Sequence, residues 1–357
     1  MDIGIFQLLP QPEGLSDREV IEQALWEVDL AEARGYASVW VTEHHLSPFG
    51  LVGAPSVYAA AVAQRTKRIK IGYGVAVVPL HHPLRLAEEI AWVDHLSHGR
   101  LMVGVGPGFS PYEFAAFGVS LGERHRRLEE GFAILRGALG QSSFTYSGEY
   151  WTFPPIALRP RPYHGAAPPF LRACSSLESL RQAAHEGTPL MLGLKSNSEI
   201  AERITAYRTI RNELGVSANE VDREVSAFRV LRRVSVADTD EEAVTSMKQA
   251  LIWEGEIARR VHGPGATPGA AAATANGHAV SDGGEVSGAC AGTPATVAAQ
   301  LLALRTLGIQ HVIAWLNFGD MPFAKVQRSM ELLAQEVIPQ ITAGAREQVC
   351  PLKAYME

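Results

Sequence analysis

The stretch VWVTEHHLSPFG, Val39 to Gly50, sets a carboxylate, Glu43, and two histidines, His44 and His45, directly behind a run of β-branched and aromatic residues. Three ionisable side chains at the end of a buried strand either open onto an active site or decorate a loop. Other strand ends carry comparable groups. GYGVAVVPLHHP ends in His81 and His82, GVGPGFSPYEF contains Phe109 and Glu113, and RACSSLES contains Ser175, Ser176 and Ser179. A lone histidine is more often structural than catalytic, and GVGPG alone is a weak phosphate signal. Four consecutive strand ends bearing His, Gly, Glu and Ser are more persuasive than any one of them.

Two chemistries suggest themselves. A strand that leads into a helix with serines in its first turn offers free amides, hydroxyl donors and the positive end of a helix dipole, which suits a phosphate. Plain N-capping by one serine accounts for the same residues equally well. Paired histidines also raise a zinc site. Adjacent strand residues point to opposite faces, so each pair could give only one ligand, and no Cys or Asp cluster completes a set. No metal is expected.

The elements that must position these groups alternate along the chain. DIGIFQL is a strand, and the helix behind it has a capping box at Ser16 and Glu19, an apolar stripe of Val20, Ala24, Val28 and Ala31, and a stop at Gly35. ASVWVTEH, IKIGYGVAVV, RLMVGVG, PPFLRAC, TPLMLGL, EVSAFRVLRRVSVA and IQHVIAWL are the further strands, each followed by a helix, the last helix running from Pro322 to about Ile338. The strands are continuously apolar, as in a parallel sheet covered by helices. About eight such pairs predict an α/β fold, a (β/α)8 TIM barrel, in a single domain over residues 1–357. A doubly wound open sheet is the rival, but no glycine-rich dinucleotide fingerprint follows the first strand.

Two interruptions stand out. SFTYSGEYWTF reads as an inserted hairpin with Ser147 and Gly148 in its turn. Residues 263–292 are Gly- and Ala-rich without periodicity, and read as an active-site lid or a passive insertion, with a helix starting at Thr293 and Pro294.

Composition narrows the class. The 357 residues carry a net charge of −6, with 46% hydrophobic and 20% charged residues, and no basic stretch interleaved with aromatics. Nucleic acid is therefore not expected as a partner. Cys174, Cys290 and Cys350 are far apart and odd in number, which suggests neither a disulfide framework nor a metal site. The N-terminus has no basic leader and no apolar run approaches a membrane span, so a soluble, cytoplasmic protein is expected.

VWVTEHH, the segment from Ile69 to Gly118 and GTPATVAAQL resemble the bacterial luciferase-like flavin-dependent monooxygenases, over essentially the whole chain. The resemblance implies a barrel that binds reduced FMN and dioxygen at its C-terminal mouth and oxygenates a small organic substrate via a C4a-(hydro)peroxyflavin. A separate NAD(P)H flavin reductase and a homodimer are implied with it. It makes His44 the catalytic residue beside the flavin C4a edge, with Glu43 and His45 in support. Gly74 and Val75 match the position of a non-prolyl cis peptide under the ring. Phe109 and Glu113 line the cofactor site, Ser176 and Ser179, with Ser175 beside them, match phosphate ligands, and Trp253 matches an aromatic residue near the ring. Phe6, His45, Phe49 and Trp253 would then face a hydrophobic or aromatic substrate. One departure is Pro107, where luciferases often carry an arginine for the phosphate; Arg126 or Arg172 would supply the cation, or serines and amides alone hold the group. The resemblance also admits a deazaflavin-dependent dehydrogenase of the same fold, or a non-catalytic flavin-binding relative.

Overall fold

The computed structural model describes residues 1–262 and 288–346. Its strands in chain order are β1 (Asp2–Gln7), β2 (Ser38–Val41), β3 (Lys70–Val77), β4 (Leu101–Gly106), β5 (Phe144–Ser147), β6 (Thr152–Ile156), β7 (Phe170–Cys174), β8 (Leu190–Leu192), β9 (Arg229–Val236), β10 (Ala289–Gly292) and β11 (His311–Trp315). Eight of them close a parallel barrel in the order β9-β11-β1-β2-β3-β4-β7-β8, with β8 pairing back onto β9. The fold is a (β/α)8 barrel. The strands are short and nearly all their residues are buried, because barrel side chains fill the inside while helices cover the outside.

The covering helices are α1 (Asp17–Arg34), α2 (Pro55–Arg65), α3 (Pro83–Leu96), α4 (Pro111–Ala116), α5 (Arg124–Gly140), α6 (Leu177–Glu186), α7 (Asn197–Glu213), α8 (Ala218–Ser226), α9 (Asp240–His262), α10 (Pro294–Thr306), α11 (Phe323–Leu332) and α12 (Ile338–Arg346). Their ends follow from local chemistry. In α1 the Ser16–Glu19 capping box is made in both directions, Val20, Ala24, Val28 and Ala31 are buried, and Gly35 closes the helix at φ 79°. Thr293 caps α10, accepting from the Thr296 amide, with Pro294 at the first helical position.

Several sequence boundaries move. The strand expected from Glu224 starts at Arg229, because Ser217 caps a separate helix, α8, whose Val221 and Val225 are buried four residues apart. The last four residues of the expected 263–292 lid are instead strand β10, which pairs with the C-terminal half of β9 from Arg233 to Val236, beyond the point where the short β8 ends. The rest of that segment, 263–287, lies outside the described residues. The last helix continues past Ile338 to Arg346 through a π turn at Leu333–Val337. The inserted hairpin is present as β5 and β6, with Ser147 paired in the strand and the turn running from Gly148 to Trp151. Glu130 on α5 holds that turn by accepting the amides of Glu149, Tyr150 and Trp151.

Which side chains face inward can be read from contacts across the ring. A Cβ on Gly74 of β3 would lie 3.4 Å from Phe6 on β1 and 3.5 Å from Met191 on β8, strands that do not neighbour β3. Arg229 on β9 likewise reaches Met102 on β4 and stacks over Trp40 on β2. Phe6, Trp40, Gly74, Met191 and Arg229 are therefore interior.

Candidate active site at the barrel mouth

Strand β2 ends at Val41, and the chain delivers Glu43, His44 and His45 at the C-terminal rim. His44 Nδ1 lies 3.0 Å from Glu113 Oε1, and the same oxygen accepts the His45 amide at 3.0 Å. Glu113 is on α4, where Ser110 caps the helix by accepting the Glu113 amide and Pro111 holds the first turn. The His44 ring packs edge-on against Phe49 at 4.9 Å and Phe109 at 5.7 Å. Glu113 Oε1 already accepts the His45 amide, so as an acceptor it assigns the proton to Nδ1 and leaves Nε2 as the basic nitrogen of the ring.

His45 points the other way, as adjacent residues do. Its Nε2 lies 2.9 Å from Glu43 Oε1, which His81 Nε2 also reaches at 2.8 Å, while Glu43 Oε2 accepts the Val77 amide at 2.7 Å. The His45 ring packs on Phe117 at 4.6 Å, so it belongs to this buried cluster and not beside Phe6 and Phe49 where a substrate-pocket role would place it. Burial alone would raise the Glu43 carboxyl, but bonds from His45, His81 and the Val77 amide, together with the His81 charge, hold it down at about 2. For His81, burial works against protonation and the Glu43 carboxylate outweighs it, raising the ring above its ordinary value. The cluster ties the end of β2 to the end of β3.

Between those ends lies the Gly74–Val75 peptide bond, which is cis. The β3–β4 register shifts between Tyr73 and Ala76, and β4 answers with glycine: a Cβ on Gly104 would meet the Tyr73 carbonyl at 2.3 Å. Apart from exposed Lys70, Gly74 and Val75 are the residues of β3 that are not buried. A flat group can therefore lie on them.

The serines sit at the start of α6. Ser176 is the N-cap, accepting the Ser179 amide at 3.1 Å, and Ser179 Oγ returns to the Ser176 amide. Ser175 and Ser176 are exposed. The two cations expected there are committed elsewhere. Arg126 pairs with Glu149 at 2.6 Å on the hairpin and stacks near Tyr150, because α5 turns it outward. Arg172 is buried against α5 and α6, paired with Glu129 and with Glu186 at 3.3 Å. Arg203 on α7 is a cation at the serines, with Nη2 3.4 Å from the Ser175 carbonyl and Nε buried without a hydrogen-bond partner. Its spacing from the serines in sequence gave no signal of this.

The structure thus brings His44, Phe49, Phe109 and Glu113 together, and Phe6 with Gly74. Trp253 is half-buried on α9. A cleft of about 510 Å³ lies elsewhere, on the outer wall between α5, α6 and the hairpin, lined by Phe132, Arg136, Phe144 and Tyr146 among others, and holds none of the strand-end residues. Among the described residues no cluster of three or more His, Cys, Asp or Glu could hold a metal ion, and no helix is long and apolar enough to cross a membrane.

A strand-end histidine oriented by a buried carboxylate stands at the C-terminal rim of a parallel barrel. The chain belongs to the luciferase-like monooxygenases, whose family model matches residues 1–311. It is 28% identical over 342 residues to the limonene 1,2-monooxygenase of Rhodococcus erythropolis, covering 95% of this chain and 86% of that one. It is also 28% identical over 223 residues to the alkanal monooxygenase alpha chain of the Kryptophanaron alfredi symbiont, and there it spans only 62% of each chain. Among solved structures, the monooxygenase RslO1 from Streptomyces bottropensis superposes with a TM-score of 0.80 at 27% identity, covering 95% of this chain and 99% of that one.

Proposed function

We propose that the protein is an FMN-dependent monooxygenase that takes reduced FMN from a separate NAD(P)H flavin reductase and oxygenates a small, hydrophobic or aromatic molecule with dioxygen. The observation that carries the reading is the His44–Glu113 pair at 3.0 Å, set at the same rim as the open Gly74–Val75 bond. The residues present fit the cofactor. Gly74 and Val75 offer a bare surface for a flat ring system, and Ser175, Ser176, Ser179 and Arg203 offer hydroxyls, an amide-bearing helix start and a cation for its phosphate. Bound reduced flavin supplies the electrons with which dioxygen delivers one oxygen atom to substrate.

The chain's own part is positional and protonic. Glu113 holds the His44 proton on Nδ1, so that Nε2 can take up or release a proton at the rim. Phe49 and Phe109 pack against the imidazole in T-shaped contacts and help keep water from it. Glu43, clamped by His45, His81 and the Val77 amide, fixes the strand end that carries Gly74 and Val75. A homodimer in the cytoplasm completes the reading.

The test supplies reduced FMN, or a reduced deazaflavin, together with ¹⁸O₂ and a panel of terpenes, ketones and aldehydes. The reading expects ¹⁸O in a product that forms with FMN and requires protein. Reduction or oxidation of substrate with the deazaflavin alone would make the protein a dehydrogenase. Tight flavin binding with no labelled product would make it a non-catalytic carrier. Either result overturns the proposal.

A further inference from the structure

Strand β9 carries arginine at 229, 232 and 233, although nearly every residue of the strand is buried. Arg229 faces the interior, so Arg233, four residues further towards the C-terminal rim, faces it as well. There its guanidinium stacks over Trp315 at 4.8 Å, and Trp315 meets Phe6 edge-on at 5.4 Å. Phe6 in turn borders Gly74. A continuous interior row therefore runs from Arg233 to the cis peptide.

The partner of Arg233 is Glu254 on α9, a helix that packs against α4, the bearer of Glu113. Both side chains are sealed, at 1% and 3% exposure. The pair is nonetheless incomplete. A guanidinium presents Nε–H and Nη2–H along one edge, where a carboxylate can accept two parallel bonds. Here Nη2 donates to Glu254 Oε1, while Arg233 Nε and Glu254 Oε2 are both buried with no hydrogen-bond partner. A buried charged pair left with one bare donor and one bare acceptor is destabilising unless something answers both.

We infer that Arg233 and Glu254 form the polar end of the substrate site and recognise a hydroxyl group on an otherwise apolar molecule. The inference rests on the reading of the barrel mouth as the site of oxygenation. A hydroxyl answers both bare atoms: its oxygen accepts from Nε–H and its hydrogen donates to Oε2. A hydrocarbon answers neither, and a carboxylate cannot donate and meets the charge of Glu254. The apolar remainder of the molecule lies along Trp315 and Phe6.

The test measures binding of matched probes to the full chain in the presence of FMN: phenol against benzene, naphthol against naphthalene, cyclohexanol against cyclohexane. Hydrogen bonds to charged groups predict a preference for the hydroxylated member of about 10- to 100-fold in at least one pair. Because a single substitution would strand a buried charge, the variant is Arg233→Met with Glu254→Leu, which replaces the pair by apolar side chains of similar length. In it the preference falls to within about threefold, against the same hydrogen-bond scale. Equal binding within every pair, no binding by any hydroxylated probe, or a preference that survives the double substitution overturns the inference. Failure of the wild-type chain to bind FMN at all would instead count against the monooxygenase reading, so the two failures are told apart.

Discussion

Glu113 Oε1 stands 3.0 Å from His44 Nδ1 and 3.0 Å from the His45 backbone nitrogen, so one carboxylate oxygen sets both the tautomer of the imidazole and the path of the loop that carries it. The side chain of Glu113 is 2% exposed, and that of His44 11%. A buried acceptor of this kind acts on chemistry through the ring it orients.

Glu113→Gln tests that role. The amide keeps an acceptor for the His45 nitrogen, so the loop should hold and the melting temperature should change little. Held by the His45 nitrogen, that oxygen still accepts from Nδ1, but the negative charge that would support a protonated ring is gone. Product formed per reduced flavin oxidised should fall about 10²- to 10⁴-fold, with affinity for reduced FMN unchanged. A purely structural residue would lower the melting temperature instead and leave the pH profile of coupling where it was.

Ser176 serves two functions that one substitution can separate. As N-cap of α6 it is replaceable by Asp, a comparably good cap, whereas loss of the cap costs about 1 kcal/mol. As a phosphate ligand it is not replaceable by a carboxylate. Ser176→Asp should therefore leave stability within about 0.5 kcal/mol while weakening reduced FMN at least about tenfold, and reduced riboflavin hardly at all. Arg203→Met should show the same selectivity. Calorimetric binding of the two flavins decides it; equal losses would move the phosphate away from α6.

The Glu43 cluster predicts a stability window. Glu43, held at about 2, contributes stability above its ordinary value of 4.5 that is lost as pH falls towards 2. His81, raised above 6.5, contributes stability that is complete below 6.5 and lost as pH rises through its own raised value. The stability difference between the wild type and His81→Ala should accordingly be largest between about pH 4.5 and 6.5, on the order of 2 kcal/mol, and shrink on both sides. Denaturant melts at stepped pH measure it, and a difference that does not vary with pH would show that the two side chains are not coupled.

Much of this was legible in the chain because the signals were local. Capping residues, Gly35 and the apolar strands fixed most elements, and the strand-end groups His44, Glu113 and the serines lie where the alternation put them. What escaped depended on distant partners. The EVSAF segment reads as strand because Val and Phe favour strands, yet Val221 and Val225 pack at helical spacing once Ser217 caps α8. Arg126 and Arg172 were plausible cations until Glu149, Glu129 and Glu186 came to face them, and no spacing announced Arg203. A usable clue lies in RVLRRVSV, where arginines interrupt a buried strand and are almost never buried without partners.

Glu27 supplies the last prediction. It is buried on α1, accepting from Asn317 Nδ2 at 2.7 Å and from Gln7 Nε2 at 3.4 Å, while Tyr58 donates to Gln7 Oε1 at 2.9 Å. Burial raises its carboxyl to about 7, and the two amide donors only partly offset that. The folded chain thus keeps this proton up to about pH 7, while the unfolded chain releases it near 4.5. Between those values the folded state binds more protons, so stability declines as pH rises through the interval, by roughly 3 kcal/mol at full ionisation. Glu27→Gln removes the ionisation at nearly constant shape. Below pH 4.5 it should be close to neutral or slightly destabilising, since the neutral carboxyl already fits. Above pH 7 it should stabilise, provided the amide turns its oxygen towards Asn317 and gives up the longer contact with Gln7, whose Nε2 also donates to the Ala24 carbonyl at 2.7 Å. Chemical denaturation at pH 5 and pH 8 reads the sign directly, and a variant less stable than wild type at both would show that Glu27 is ionised and well paired in the folded protein.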